Sequence, residues 1–217
     1  MAKVKNPLMS AEVRGKVGGL IFNTARGVKY VKCFTSPTQP RTQKQLKIRG
    51  YMQICTRKWQ TEEQAVRDAF AGYAITHPII DWTGESITLS GFNIYCQLNA
   101  RLLWMGSPMI DTPPESAAPD APQGTTATGG VNEIDLTWTA YDGTDTRVNV
   151  YIVGPHSPGR QAKFEQAVYK DSKNGETGTM TISSLQAGFY TLFLIATSES
   201  EGTISPMTKL TATVTSA

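Results

Sequence analysis

Apolar positions recur with two different periods along this chain, and the change falls near its middle. Around Val17, Leu20 and Phe22, then Val28, Tyr30, Val31 and Phe34, they alternate loosely and are split by Asn23-Thr24-Ala25-Arg26-Gly27. Gly27 tolerates the positive φ that a short hairpin loop needs, so a β-hairpin is expected here. Pro37 and Pro40 then force an extended path, which makes this region an arm. A helical period follows, with Ile48, Met52, Cys55 and Trp59 on one stripe behind a Thr42/Gln45 capping pair. A second pair, Thr61 with Gln64, is expected to open another helix with the stripe Val66, Ala69, Phe70 and Tyr73, and Glu62 and Glu63 in its first turn suit the helix dipole. That helix should stop near His77-Pro78. After a short strand at 86–89, Ser90 caps a third helix that runs to about Met105 and ends at Gly106 and Pro108. Its apolar residues fall on two sides: Phe92, Tyr95, Cys96, Leu102 and Leu103 on one, Ile94 and Leu98 on the other. Such a helix is buried twice, within its own domain or against a neighbouring subunit.

Beyond residue 130 the period becomes two. Strands are expected at 134–139, 147–153, 164–169, 177–182, 188–198 and 210–215, with clean alternation in Ile134, Leu136, Trp138 and in Val148, Val150, Ile152. Six or seven short strands in about a hundred residues make a sandwich. Between the two patterns lies Ser107 to Gly130, rich in Pro, Ser, Thr and Gly, a composition that reads as a semi-extended linker. The expected organisation is therefore an α+β domain over 1–106 (hairpin, arm and about three helices), a linker over 107–130, and an all-β immunoglobulin or fibronectin III-like sandwich over 131–217.

Charge sharpens this division. The 217 residues carry a formal +3, yet residues 1–50 hold eleven Lys and Arg against the single acid Glu12. Everything after them is net acidic. An arm this basic implies an anionic partner: nucleic acid, an acidic protein surface or lipid. The longest nearly apolar run, Tyr190 to Ala196, is one strand long, so no membrane span is expected. The N-terminus lacks the apolar core of a secretory signal, and synthesis in the cytoplasm is expected. Cys33, Cys55 and Cys96 have neither zinc-site nor disulfide spacing and read as small buried apolar residues.

Candidate chemistry is sparse. His77 and His156 both neighbour proline and read as loop or turn residues, leaving no paired-histidine metal site. Gly15-Lys16-Val17-Gly18-Gly19 lacks the Lys-Ser/Thr ending of a phosphate loop, so its glycines read as serving a bulge or close packing. Glu62 and Glu63, adjacent on a helix, point apart and do not make a glycosidase pair. Asn99, on an apolar stripe, reads as a satisfied buried polar group. No enzyme activity, cofactor or metal is expected. The binding candidates are Arg26, Lys29, Tyr30, Lys32, Phe34, Arg41, Lys44 and Arg49, a mixture of cations and rings, with Trp59 as the pin of the helical core.

Two resemblances extend this reading. Pro119-x-x-Pro122, Trp138, Tyr151, Leu185 with Gly188 and Tyr190 as a corner, and Gly202 with Ser205-Pro206 follow one another as in a fibronectin type III or related immunoglobulin-like domain. That implies a fold and little about function. Residues 12–114 resemble a group of largely uncharacterised proteins from the structural gene regions of tailed bacteriophages and prophages. The shared features are Gly15-x-x-Gly18 with Phe22, Arg26-Gly27 before Tyr30-Val31, Pro40-Arg41-Thr42-x-x-Gln45-x-x-x-Arg49, Trp59 before Thr61, and Leu89-Ser90-Gly91-Phe92-Asn93 with Leu98-Asn99. Arg67-Asp68-Ala69-Phe70 departs from the Arg-Ala-Ala-Trp-like stretch usual there. The resemblance implies a virion part: head decoration, head-tail connector or tail accessory, in a repeated lattice or homo-oligomer with other virion proteins. The alternatives are a DNA-binding packaging protein acting through the basic arm, and a host-surface or glycan binder acting through the sandwich, with Tyr141, His156 and Tyr169 as its candidates.

Overall fold

The computed structural model describes residues 2–3, 14–25, 28–36, 41–80, 85–142 and 145–216. The chain divides into two compact units, residues 1–43 and 44–217. The division therefore falls between the arm and the helices. The sheet and the helices expected to share one α+β domain belong to different units, and the helices belong with the sandwich.

The smaller unit is a four-stranded antiparallel sheet, larger than the expected hairpin. Its strands are β1 (Ala2–Lys3), β2 (Gly15–Val17), β3 (Leu20–Ala25) and β4 (Val28–Cys33), in the order β1-β4-β3-β2. Gly18 sits at φ +58° in the turn between β2 and β3 with nothing near the position of a Cβ, so its role is conformational. β3 continues through Asn23, Thr24 and Ala25, which had been expected in the loop, because Asn23 pairs with Tyr30 and its side-chain amide donates to the Tyr30 hydroxyl at 3.0 Å. The expected turn residues Arg26 and Gly27, and the expected extended segment at Pro37 and Pro40, lie outside the described residues.

In the larger unit, α1 (Gln43–Thr61), α2 (Gln64–Thr76) and α3 (Gly91–Met105) form the helical layer. Thr61 does not open α2; it ends α1, where its hydroxyl donates back to the Lys58 carbonyl at 2.8 Å. A threonine can cap forward or bond backward, and here the backward bond wins. The α2 cap is Glu63, with no side-chain cap bond. Arg67 closes the end of α1 from α2, donating to the carbonyls of Trp59 and Gln60 at 3.1 and 3.0 Å. Glu62 leaves the dipole role: it pairs with Lys58 at 3.4 Å and accepts the Tyr95 hydroxyl at 3.2 Å. α2 stops where Pro78 has no N–H to offer, and His77 stacks on Tyr73 with centroids 4.0 Å apart. A two-stranded ribbon follows, β5 (Ile79–Ile80) paired with β6 (Ser86–Ile87). Ser90 caps α3 by accepting the Asn93 N–H at 3.3 Å, and Gly106 ends it in the left-handed conformation.

The helical core gathers Cys55, Phe70, Ala74, Ile94, Tyr95, Cys96 and Leu98. Trp59 is half-buried among three rings, 5.1 Å from Tyr95, 5.8 Å from Phe92 and 6.3 Å from Phe70. Of the expected α1 stripe, Ile48 and Met52 are exposed and only Cys55 is fully buried. Cys55 and Cys96 are buried as expected, and burial pushes both thiols up, Cys96 to about 11. Cys33 differs: it is exposed on β4, in a sheet too thin to enclose it.

The sandwich comprises β7 (Thr126–Gly129), β8 (Ile134–Thr137), β9 (Thr146–His156), β10 (Val168–Asn174), β11 (Thr179–Ile182), β12 (Gly188–Ser198) and β13 (Thr208–Val214). Sheets β11-β8-β7 and β10-β9-β12-β13 pack face to face over Ile134, Leu136, Trp138, Val148, Val150, Leu192 and Leu194. Three strands over four in this order is the fibronectin III arrangement. The Tyr190 hydroxyl donates to the Gln186 carbonyl at 2.9 Å, the corner bond of such sandwiches. Residues 164–166, expected to begin a strand, form a 3₁₀ turn, and β10 starts only at Val168.

The stretch 107–130 differs from a semi-extended linker. Asn99 donates to the carbonyls of Tyr95 and Ile110, both at 3.1 Å, and accepts the Ile110 N–H at 2.8 Å. Pro114 and Pro122 are buried, Glu201 accepts the N–H groups of Glu115 and Ser116 at 3.2 Å, and β7 forms at its end. The second buried side of α3 meets the sandwich: a Cβ at Gly202, in the turn between β12 and β13, would stand 2.7 Å from the Leu98 carbonyl oxygen and 3.2 Å from Leu102.

Candidate functional site

Strand alternation gives the small sheet two unlike faces. The register aligns Lys16, Ile21 and Lys32 across β2, β3 and β4, with Asn23 opposite Tyr30 on the same side. Phe34, one residue beyond β4, also lies on this side, because the Lys16 ammonium stands 3.7 Å over its ring. The opposite face carries Val17, Leu20, Phe22, Val31 and Cys33. Phe22 is the one fully buried apolar side chain among this unit's described residues, while Val17 is 54% exposed, Leu20 42% and Phe34 51%.

The sequence candidates divide between the two units. Tyr30, Lys32 and Phe34 share the basic face. Lys29 pairs with Thr24 in the ladder, and Arg26 lies outside the described residues. Arg41 is exposed at φ 49°, two residues before α1. Lys44, Arg49 and Trp59 belong to α1 in the larger unit. Lys44 donates to the Tyr169 carbonyl at 3.5 Å, and Arg49 is exposed on the helix surface.

A second site lies inside the larger unit. A cleft of about 530 Å³ opens between α3, the start of α1 and the sheet face of β9, β10 and β12. Its aromatic walls meet edge to face: Trp104 and Tyr169 at 5.4 Å, Tyr151 and Tyr169 at 5.6 Å, Tyr151 and Phe164 at 5.1 Å. The Lys47 ammonium lies 5.1 Å from the Trp104 ring. Arg101 and Asn149 are among the polar side chains that line the cleft. Arg101 of α3 donates to the Gly202 carbonyl at 3.2 Å, and burial pulls its guanidinium pKa downward. Asn149 of β9 donates to the Thr197 hydroxyl at 2.9 Å, which turns its carbonyl Oδ1 away, buried and without a partner. None of the lining side chains is acidic.

Of the three sandwich candidates, only Tyr169 belongs to this cleft. The Tyr141 hydroxyl donates to the Asp120 carbonyl at 2.8 Å, and His156 contacts the Thr191 hydroxyl at 3.0 Å beside Phe189. Arg101, Trp104, Tyr151 and Asn149 are not a set along the sequence; the fold brings them to one cleft. A mixed aromatic and cationic side of α3, opposite its apolar stripes, was the available signal.

No family model matches the chain, and no curated protein matches it. Among solved structures, 47% of the chain is similar to the whole of FN3tt, at 16% identity and a TM-score of 0.37. Similarly, 47% of it covers 35% of the chicken CNTN1 FN1-FN3 structure, at 19% identity and a TM-score of 0.34. The spore cortex lytic enzyme SleM of Clostridium perfringens matches over 48% of this chain and 31% of its own, at 16% identity and a TM-score of 0.35. At such scores the strand order described above, and not these matches, carries the sandwich assignment.

Proposed function

We propose that this protein is a non-enzymatic structural component of a tailed-phage particle, anchored in a lattice of head or tail subunits through its N-terminal sheet. The supporting observation is the two-faced sheet of residues 1–43. A single antiparallel layer is stable only when its apolar face is packed against something. Here that face leaves Val17 and Leu20 exposed, and the other face presents Lys16, Lys32 and Phe34. Acidic neighbouring subunits suit both: apolar contact on one face and charge pairing on the other, with short edge strands able to extend a partner's sheet. Repetition in a lattice lets modest single contacts hold firmly. The resemblance of residues 12–114 to tailed-phage structural proteins supplies the particle context.

The test is incorporation of full-length variants into particles. Val17→Lys with Leu20→Lys should leave the unfolding transition of residues 44–217 in place and reduce incorporation about tenfold or more. Wild-type incorporation of the double variant would contradict the reading, as would steeply salt-dependent binding of the intact chain to duplex DNA.

A further inference from the structure

We infer that the cleft between α3 and the sandwich is a binding site for a carboxylate-bearing sugar residue of a glycan. One cation defines the ligand's charge. The Arg101 guanidinium is largely withdrawn from water with one carbonyl contact, that of Gly202, and no acidic side chain shares the cleft. Its remaining donors suit a planar anion, and a carboxylate meets an arginine fork in two parallel bonds. Beside it on the cleft wall, the Tyr151 and Tyr169 rings offer flat apolar surface. The ligand thus carries a carboxylate.

The walls specify the rest. Trp104, Tyr151, Phe164 and Tyr169 offer ring edges and faces around one opening, and Phe164 remains 40% exposed at the mouth. The ligand body must have flat apolar patches for these rings while bearing polar groups at its edge. A carboxylated pyranose has all three parts: C–H faces, hydroxyl donors and a carboxylate. Its size matches a cleft of about 530 Å³, which accommodates one or two sugar rings. Lys44 and Lys47, next to Tyr169 and Trp104, add positive charge at the rim and favour an anionic chain continuing outward.

The experiment is a titration of the intact protein, followed by amide chemical shifts, with glucuronic acid, N-acetylneuraminic acid, neutral glucose and an Asp/Glu-rich peptide. Saturable shifts at Arg101, Trp104 and Tyr151 are expected with at least one acidic sugar, at an affinity about tenfold or more above glucose. Arg101→Gln should erase that preference, and Tyr169→Ala should weaken acidic-sugar binding while each variant keeps a cooperative unfolding transition. Equal affinity for acidic and neutral sugars would overturn the assignment. So would absence of shifts with every sugar, tighter binding of the acidic peptide at the same residues, or a preference unchanged in Arg101→Gln. Loss of this site would leave anchoring by the N-terminal sheet untouched, since the two readings rest on different units.

Discussion

Asn99 spends a whole side-chain amide on two carbonyls and one N–H, tying the middle of α3 to the chain that leaves it. Asn99→Ala should cost about 2 kcal/mol, because the groups it satisfies stay buried, and urea unfolding reads the loss directly. Tyr190→Phe removes one corner bond and should cost about 1 kcal/mol in the same experiment. The three thiols differ by environment. One, Cys33, is exposed, so an aromatic disulfide reagent should titrate a single fast thiol per chain, and Cys33→Ser should abolish it. Cys55 and Cys96 should react only on unfolding. Phenols set an alkaline limit: burial, then the Asp120 charge, pushes Tyr141 up to about 12, and burial moves Tyr95 and Tyr151 the same way. The unfolded chain releases these protons near pH 10, the folded chain later. Stability is therefore full below about pH 10 and falls as the pH rises through the folded values, which unfolding midpoints measured from pH 8 to 12 should show.

At the scale of elements, α3 is the member that joins layers. The sequence expectation that it is buried on two sides holds, and its second neighbour is the sandwich of the same chain. Gly202 makes that approach possible, with a positive φ and the Leu98 carbonyl where a Cβ would stand. Gly202→Ala should destabilise the larger unit by about 2 kcal/mol and broaden its unfolding transition, as calorimetry would record. Strong alternation makes most sandwich strands legible: the strand expected at 188–198 has those bounds, and Ile134, Leu136 and Trp138 face the core as expected. β7 escaped notice because Thr-Ala-Thr-Gly has no apolar alternation, and the strand exists through its pairing with β8. Thr61 misled because the residues that cap a helix start also bond back at a helix end. The cleft leaves only one local trace, the mixed aromatic and cationic side of α3. Arg101 and Gly202 are brought together by tertiary packing, which periodicity along the chain does not encode.

For the whole molecule, the charge split and the structural split nearly coincide. The basic N-terminal stretch reaches just into α1, and residues 1–43 form a unit of their own, a sheet with one basic and one apolar face. The helices and the sandwich form a single body, so removing residues 116–217 would strip Gly202 from α3 and uncover Leu98 and Leu102; point changes in the sheet dissect anchoring more cleanly. The central claim is that this sheet is the anchor. An electron cryomicroscopy map of particles containing the protein tests it most directly. The account predicts that the face bearing Val17 and Leu20 is covered by another subunit, with acidic residues opposite Lys16 and Lys32. A map in which that sheet is bare and the sandwich alone holds the protein to the particle would contradict it.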